Sequence, residues 1–265
     1  MSAESLATNL EHQLEQSAQL REFAYRALVA EHRGEFLRAE YIGAILFYRS
    51  LQTHEATEIL VRRMLVEDAQ VLVRVLVEHA VNCAYMLAVA DAQTADDFVD
   101  YPRYKRYRVV QALKRTDESL LRRSVSAEQE EQLRKEFEAL RPRFEGRRND
   151  GWCADDQLYK RAARVDEIIS RARQEEHTTF QWLVNSEWRF ASSHVHGAAD
   201  ALASQSSPVE GGITLEQKFN PEEAAQAVYC ANFALYLVLP LVDQLLGGKN
   251  EEEIALRARK FTGHG

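Results

Sequence analysis

Nineteen consecutive residues, Ala224 to Val242, carry no charge. A helix that is apolar on every side belongs either in a bilayer or at the centre of a helical bundle. Gln226, Asn232 and Pro240 interrupt the run, and no Lys or Arg stands close to either end. Both features run against a transmembrane span, which favours basic flanks. The segment therefore predicts a central core helix wrapped by other helices, and no membrane partner is expected. The rest of the chain supplies such helices: only 11 glycines and 5 prolines punctuate 265 residues of 46% hydrophobic content, and so few breakers predict helix nearly throughout.

The formal net charge of −8 excludes a broad basic surface of the kind that sequence-independent nucleic-acid binding needs, though not a local basic patch. Cys83, Cys153 and Cys230 are far apart and form no Cys-x-x-Cys pair, so neither a disulfide scaffold nor a zinc knuckle is expected. Cys83 and Cys230 stand among apolar neighbours and read as core residues. The start MSAESLATNLEHQLEQ lacks a basic region followed by an apolar run, and the expected location is the cytoplasm.

Along the chain, a first helix is expected from Ala3 to Ala30, a break at His32, Arg33 and Gly34, a second helix from Glu35 to Leu51, and a long third from Glu55 to Ala90. Thr94, Asp96 and Asp97 supply a capping signal for the next helix, with Pro102 predicting a kink or a late start. Glu128 to Leu140 reads as a charged helix stopped by Pro142, followed by a long loop from Arg143 to Asp156. Helices are predicted near Gln157–Arg173 and Glu176–Ala203, then a second loop, Ser204 to Asn220, with room for a short hairpin. Asn220 and Pro221 start the apolar helix and Gly247-Gly248 stop it. The expected architecture is an all-α, single-domain helical bundle of seven to eight helices. N-terminal helices would occupy residues 1–54, a core bundle 55–248 and a ragged tail 249–265, all within one compact domain.

Within the third helix, the run VLVRVLVEHAVNCAYMLAVA places Arg74, Glu78 and Asn82 at i, i+4 and i+8 of an otherwise apolar segment. A charge on a buried surface must be paired, because leaving it bare costs several kcal/mol. The stripe is thus either a structural network or a site. A second concentration, WRFASSHVHGAAD, sets Arg189, Ser193 and His196 on one helical face, with His194 turned away by about 200° from His196. That divergence disfavours chelation, so no metal and no cofactor are expected. A metal-dependent hydrolase built on Glu78, His194 and His196 is the alternative. If Arg74, Glu78 and His196 meet across the bundle, Glu78 would orient an imidazole and Arg74 would hold an anion. The competing reading is a core histidine bonded to Glu78 or Ser192. In YPRYKRYRVVQALKR, Tyr101, Tyr104 and Tyr107 alternate with Arg103, Lys105, Arg106 and Arg108. Aromatics interleaved with bases suit stacking and phosphate contact on single-stranded RNA; tyrosines packed on the bundle with solvated bases are the alternative.

Three passages, LVRVLVEHAVNCAYML, the tyrosine-rich segment and ASSHVHGAADAL, together resemble a family of bacterial helical proteins known as domain of unknown function 5677. The resemblance covers roughly Leu60 to Leu246. It implies that Arg74, Glu78, Ser193 and His196 form a characteristic polar set with Gly197 beside it. That family is in turn similar to HEPN domains, helical bundles that often dimerise and act as metal-independent ribonucleases. Their signature is an arginine followed by four to six residues and a histidine. Arg74–His79, Arg189–His194, Arg26–His32, Arg49–His54 and Arg171–His177 fit that spacing, while Val75 and Phe190 stand where the usual asparagine would follow the arginine.

Two functions follow as expectations. One is a HEPN-like, metal-independent ribonuclease of a defence or toxin-like setting, a homodimer with RNA as partner. Arg74, Glu78 and His196 would be its catalytic residues, and Asn82, Tyr101, Tyr104, Arg108, Arg189, Ser193 and His194 its binding residues. The other is a non-catalytic helical module that binds a partner protein, a nucleotide or itself and uses the same polar set as a core network.

Overall fold

Helix α2 (Arg38–Arg62) runs without interruption through the Leu51–Glu55 stretch, where the sequence suggested a break, and the chain turns at Met64 instead. Met64 adopts φ 63°, in the left-handed region, and α3 (Val66–Ala88) begins two residues later. The reason lies in His54: the polar letters that look like a loop are core residues. His54 is buried, and its Nε2 lies 2.8 Å from Asn232 Oδ1.

The computed structural model describes residues 3–29, 36–147, 151–195, 206–209, 212–215 and 219–262. It is an all-α bundle. Among the described residues the long helical runs are α1 (Ala3–Val29), α2, α3, α4 (Ala92–Thr116), α6 (Ala127–Phe144), α7 (Leu158–Arg173), a composite run from Thr179 to Val195, and α10 (Pro221–Leu245). The composite consists of α8 (Thr179–Leu183), a π-helical turn (Val184–Trp188) and α9 (Arg189–Val195). A short α5 (Glu118–Ser124) and a terminal α11 (Glu251–Thr262) complete the set. Strands β1 (Ser206–Val209) and β2 (Gly212–Leu215) form an antiparallel hairpin with Ser206 opposite Leu215 and Val209 opposite Gly212. The expected break at 32–34 lies outside the described residues.

Beside α3, which packs on α2, α7, α9 and the π turn, the centre of the bundle holds α10. Asn220 caps it, its side-chain oxygen accepting from Glu222 N at 3.0 Å, and Pro221 occupies the first turn where its missing N–H leaves nothing unsatisfied. Gly247 and Gly248 end it at φ 108° and 67°, conformations that a Cβ would strain. Both α3 and α10 are long and apolar enough to cross a membrane by length and composition. Here they pack on each other, with α1 and α2 also against α10. Helices α2 and α3 approach so closely that Cys83 Sγ donates to Gly43 O at 3.3 Å.

A buried polar network ties α1, α2 and α10 together. Asn232 Oδ1 accepts from Ser17 Oγ at 2.8 Å as well as contacting His54, and Arg21 donates to Glu58 at 2.7 Å. Burial drives the His54 pKa down to about 4, the Asn232 hydrogen bond opposing it weakly, so the ring is neutral.

Helix α4 starts earlier than expected. Asp91 is its cap, accepting from Thr94 N at 2.7 Å, and Pro102 is accommodated inside the helix. Asp97, expected to cap, instead lies buried and accepts from Arg143 of α6, from Arg147 at 2.9 Å and from Gln93 at 2.8 Å. Pro142 falls within the last turn of α6 rather than ending it. In the segment after α6, Trp152 and Cys153 are buried. The Trp152 ring meets Phe98 edge-on at 4.9 Å and receives the Arg161 guanidinium at 5.0 Å. The expected ragged tail is helix α11, anchored by Ile254 in the core and by Phe261 stacked on Tyr229 at 4.9 Å.

Candidate functional site

One face of α3 stays half-buried in an otherwise buried helix. It carries Val71, Arg74, Val75, Glu78, His79 and Asn82. Arg74 and Glu78 are one turn apart, with Nε to Oε1 at 3.4 Å, a charge contact too poorly aligned to satisfy Arg74 Nε as a hydrogen bond. The stripe finds its third member on the composite helix. The Trp188 indole N–H donates to Glu78 Oε1 at 2.9 Å, and the Arg74 guanidinium lies 4.9 Å from the Trp188 ring. Arginine, carboxylate and indole thus form a closed triangle in which the ring quadrupole and the carboxylate share the guanidinium charge.

The π turn places Trp188 there. Its wider winding lets two consecutive residues enter the bundle on different partners, a geometry common at functional sites. Trp188 faces α3, while the preceding Glu187 is buried against α10. Cys230 Sγ–H donates to Glu187 Oε2 at 2.7 Å, and Gln226 Nε2 donates to the same oxygen at 2.9 Å. Burial first, and the Glu187 carboxylate second, hold the Cys230 thiol well above its usual pKa, so it is a protonated donor rather than a nucleophile.

Three polar atoms along this face of α3 are buried with no hydrogen-bond partner among the described residues: Arg74 Nε, His79 Nδ1 and Asn82 Oδ1. Buried polar groups are normally paired, and leaving one unpaired costs about 1–3 kcal/mol. Burial lowers the His79 pKa, Arg49 lowers it further and Glu78 opposes them. The ring is therefore neutral at pH 7 and its Nδ1 is able to accept or donate according to tautomer.

Of the residues expected from sequence, Arg74 and Glu78 are brought together, and Asn82 lies on the same face one turn beyond. His196 and Gly197 lie outside the described residues. Ser193 and His194 belong to α9, but their side chains also lie outside the described set. Arg189 is exposed at the start of α9. Tyr101 and Tyr104 correct the RNA-stacking expectation. Both are buried, with Tyr104 stacked on Phe137 at 4.9 Å and Tyr101 edge-on to Phe144 at 5.3 Å, so α6 already occupies their rings. Arg108 is exposed. Among the described residues no group of three His, Cys, Asp or Glu side chains could hold a metal ion.

Sequence reasoning missed Trp188, Glu187 and the unpartnered Nδ1 of His79. The signal for Trp188 was adjacency, since a tryptophan immediately before Arg189 was the residue best able to reach the stripe.

No curated protein and no solved structure matches this chain. Residues 40–211 match the family described as "Family of unknown function (DUF5677)". That span takes in α2 from Glu40 onward, α3 with its polar face, the π turn and strand β1, and the chain belongs to this family.

Proposed function

We propose that this protein is a helical binding module whose ligand site is the polar face of α3 beneath Trp188. The ligand carries an anionic group toward Arg74 and a hydrogen-bonding edge toward His79 and Asn82, as a nucleotide does. The observation that carries this reading is the row of three buried, unpartnered polar atoms, which a ligand of that kind would satisfy. Arg74 and Asn82 are eight residues apart, roughly 12 Å along the helix axis, which suits a ligand with its charge and its polar ring at opposite ends. The triangle of Arg74, Glu78 and Trp188 supports it further: the contacts that fix the guanidinium hold it in place before any ligand arrives.

A second reading, metal-independent phosphodiester cleavage, is favoured by one feature. The Glu78 side chain is 40% exposed next to a guanidinium with an unpartnered Nε. Glu78 would accept a proton from a ribose 2′-hydroxyl while Arg74 stabilises charge on the phosphorane.

The test is titration with nucleoside 5′-monophosphates while following the Trp188 indole N–H resonance by NMR. The expected result is a saturable shift that is lost in Arg74→Ala. Silence of that resonance at millimolar nucleotide, or retention of the shift in Arg74→Ala, overturns the binding reading. Incubation with RNA in the presence of a chelator separates the two, since only the cleavage reading predicts shortened RNA that Glu78→Gln abolishes.

A further inference from the structure

The surface of α4 beside α6 is basic in a chain that is acidic overall. Lys105, Arg108, Ala112 and Arg115 recur at steps of three, four and three residues and share one face. Neighbouring cations are neutralised: Lys114 and Arg122 by Glu130, Arg103 by Asp100, Arg134 by Glu131 and Arg143 by Asp97. Lys105, Arg108 and Arg115 have no carboxylate within 4.0 Å among the described residues. Lys105 is held instead over the Tyr101 ring at 5.1 Å.

These three cations line an open groove of about 690 Å³ whose wall includes Tyr107, Val109, Gln111 and Phe137. Val109 is 58% exposed, an apolar side chain left in water next to Arg108. Tyr107 leans on Phe137 with ring centroids 5.2 Å apart, so its ring is braced from behind.

We infer that this groove docks single-stranded RNA. Cations spaced over ten residues, roughly 15 Å of helix, meet successive phosphates, and the braced Tyr107 ring with Val109 offers an apolar shelf for an unstacked base. A duplex hides its bases and calls for a broader positive surface than three side chains provide. An acidic peptide would neutralise the cations but leave the aromatic wall without a ring to stack. Gln111, half-buried in the wall, carries both a donor and an acceptor for the 2′-hydroxyl that distinguishes RNA from DNA. This surface is separate from the α3 face, and the inference does not depend on the function proposed for that face.

The experiment is fluorescence anisotropy of a short labelled single-stranded RNA against the full chain, across a salt series. With three phosphates neutralised, the log–log salt slope is expected near about −2. Arg108→Ala/Arg115→Ala, which changes two exposed side chains and leaves the core intact, is expected to weaken binding by about tenfold or more and to flatten the slope by about 1.4. Tyr107→Leu is expected to weaken binding with the slope unchanged. The inference is overturned if RNA fails to bind at low salt, if the double variant binds with the wild-type slope, if DNA of the same sequence binds equally, or if polyglutamate displaces the RNA as well as unlabelled RNA does.

Discussion

Trp188 donates its indole N–H to Glu78 across 2.9 Å, joining the π turn to α3. The two residues are 110 positions apart in the chain, so this bond forms only once the bundle has closed.

This bond has a measurable worth. Trp188→Phe keeps a ring for Arg74 to lie over but removes the donor, and is expected to destabilise the protein by about 1–2 kcal/mol in urea unfolding. In a double-mutant cycle with Glu78→Ala, the coupling is expected near about 1 kcal/mol. Strict additivity of the two substitutions would show that the bond contributes nothing.

His54 makes stability fall in mild acid. The folded ring titrates near about 4, against 6.5 in the unfolded chain, because burial disfavours the charged form. Between those values the unfolded state holds the extra proton, so stability is complete above pH 6.5 and is lost as the pH falls toward 4. The loss from this one group is about 3 kcal/mol at about 1.4 kcal/mol per pKa unit. Unfolding free energies across that window are expected to flatten in His54→Leu, and a wild-type slope in that variant would remove His54 as the cause.

Gly43 sits where α2 meets α3. A Cβ built there would stand 2.6 Å from Leu87 Cδ2 and 2.8 Å from its Cγ. Alanine gains about 1 kcal/mol of helix propensity, but overpacking costs about 1–3 kcal/mol. Gly43→Ala is therefore expected to lower the denaturation midpoint. Leu87→Ala should be less damaging in the Gly43→Ala background than alone, and equal effects in both backgrounds would refute the steric account.

Asp97 clamps α4 to α6 and to the segment that follows it. Burial works to raise its pKa, but hydrogen bonds from Arg143, Gln93 and Arg147 outweigh burial and hold it below the usual carboxylate value. The stabilisation is present above the unfolded-state pKa and is lost as the pH falls through the lowered folded value. Asp97→Ala is expected to cost about 2 kcal/mol by leaving two guanidinium groups without their shared acceptor. A smaller loss than that of Asp100→Ala would show that Arg143 relies on Asp100 instead.

Where local chemistry decides, the sequence was a sufficient guide. Asn220-Pro221 opened α10 and Gly247-Gly248 closed it, because caps and positive-φ turns depend on a few adjacent residues. The period of the apolar positions likewise put Arg74 and Glu78 on one face of α3. The all-α class followed from the scarcity of breakers, and the core position of Ala224–Val242 from its lack of charge together with its polar interruptions and the absence of basic flanks.

Only the tertiary structure decided what the polar letters were for. His54 reads as loop and is core because Asn232 on a distant helix supplies its partner. Tyr101 and Tyr104 read as a stacking platform and are packing residues because Phe137 and Phe144 cover them. Trp188 completes the stripe because a π turn, a backbone choice with no residue signature here, rotates it toward Glu78. A helix face can be computed from spacing alone, whereas the identity of what meets that face depends on chain segments brought together by burial of the whole core.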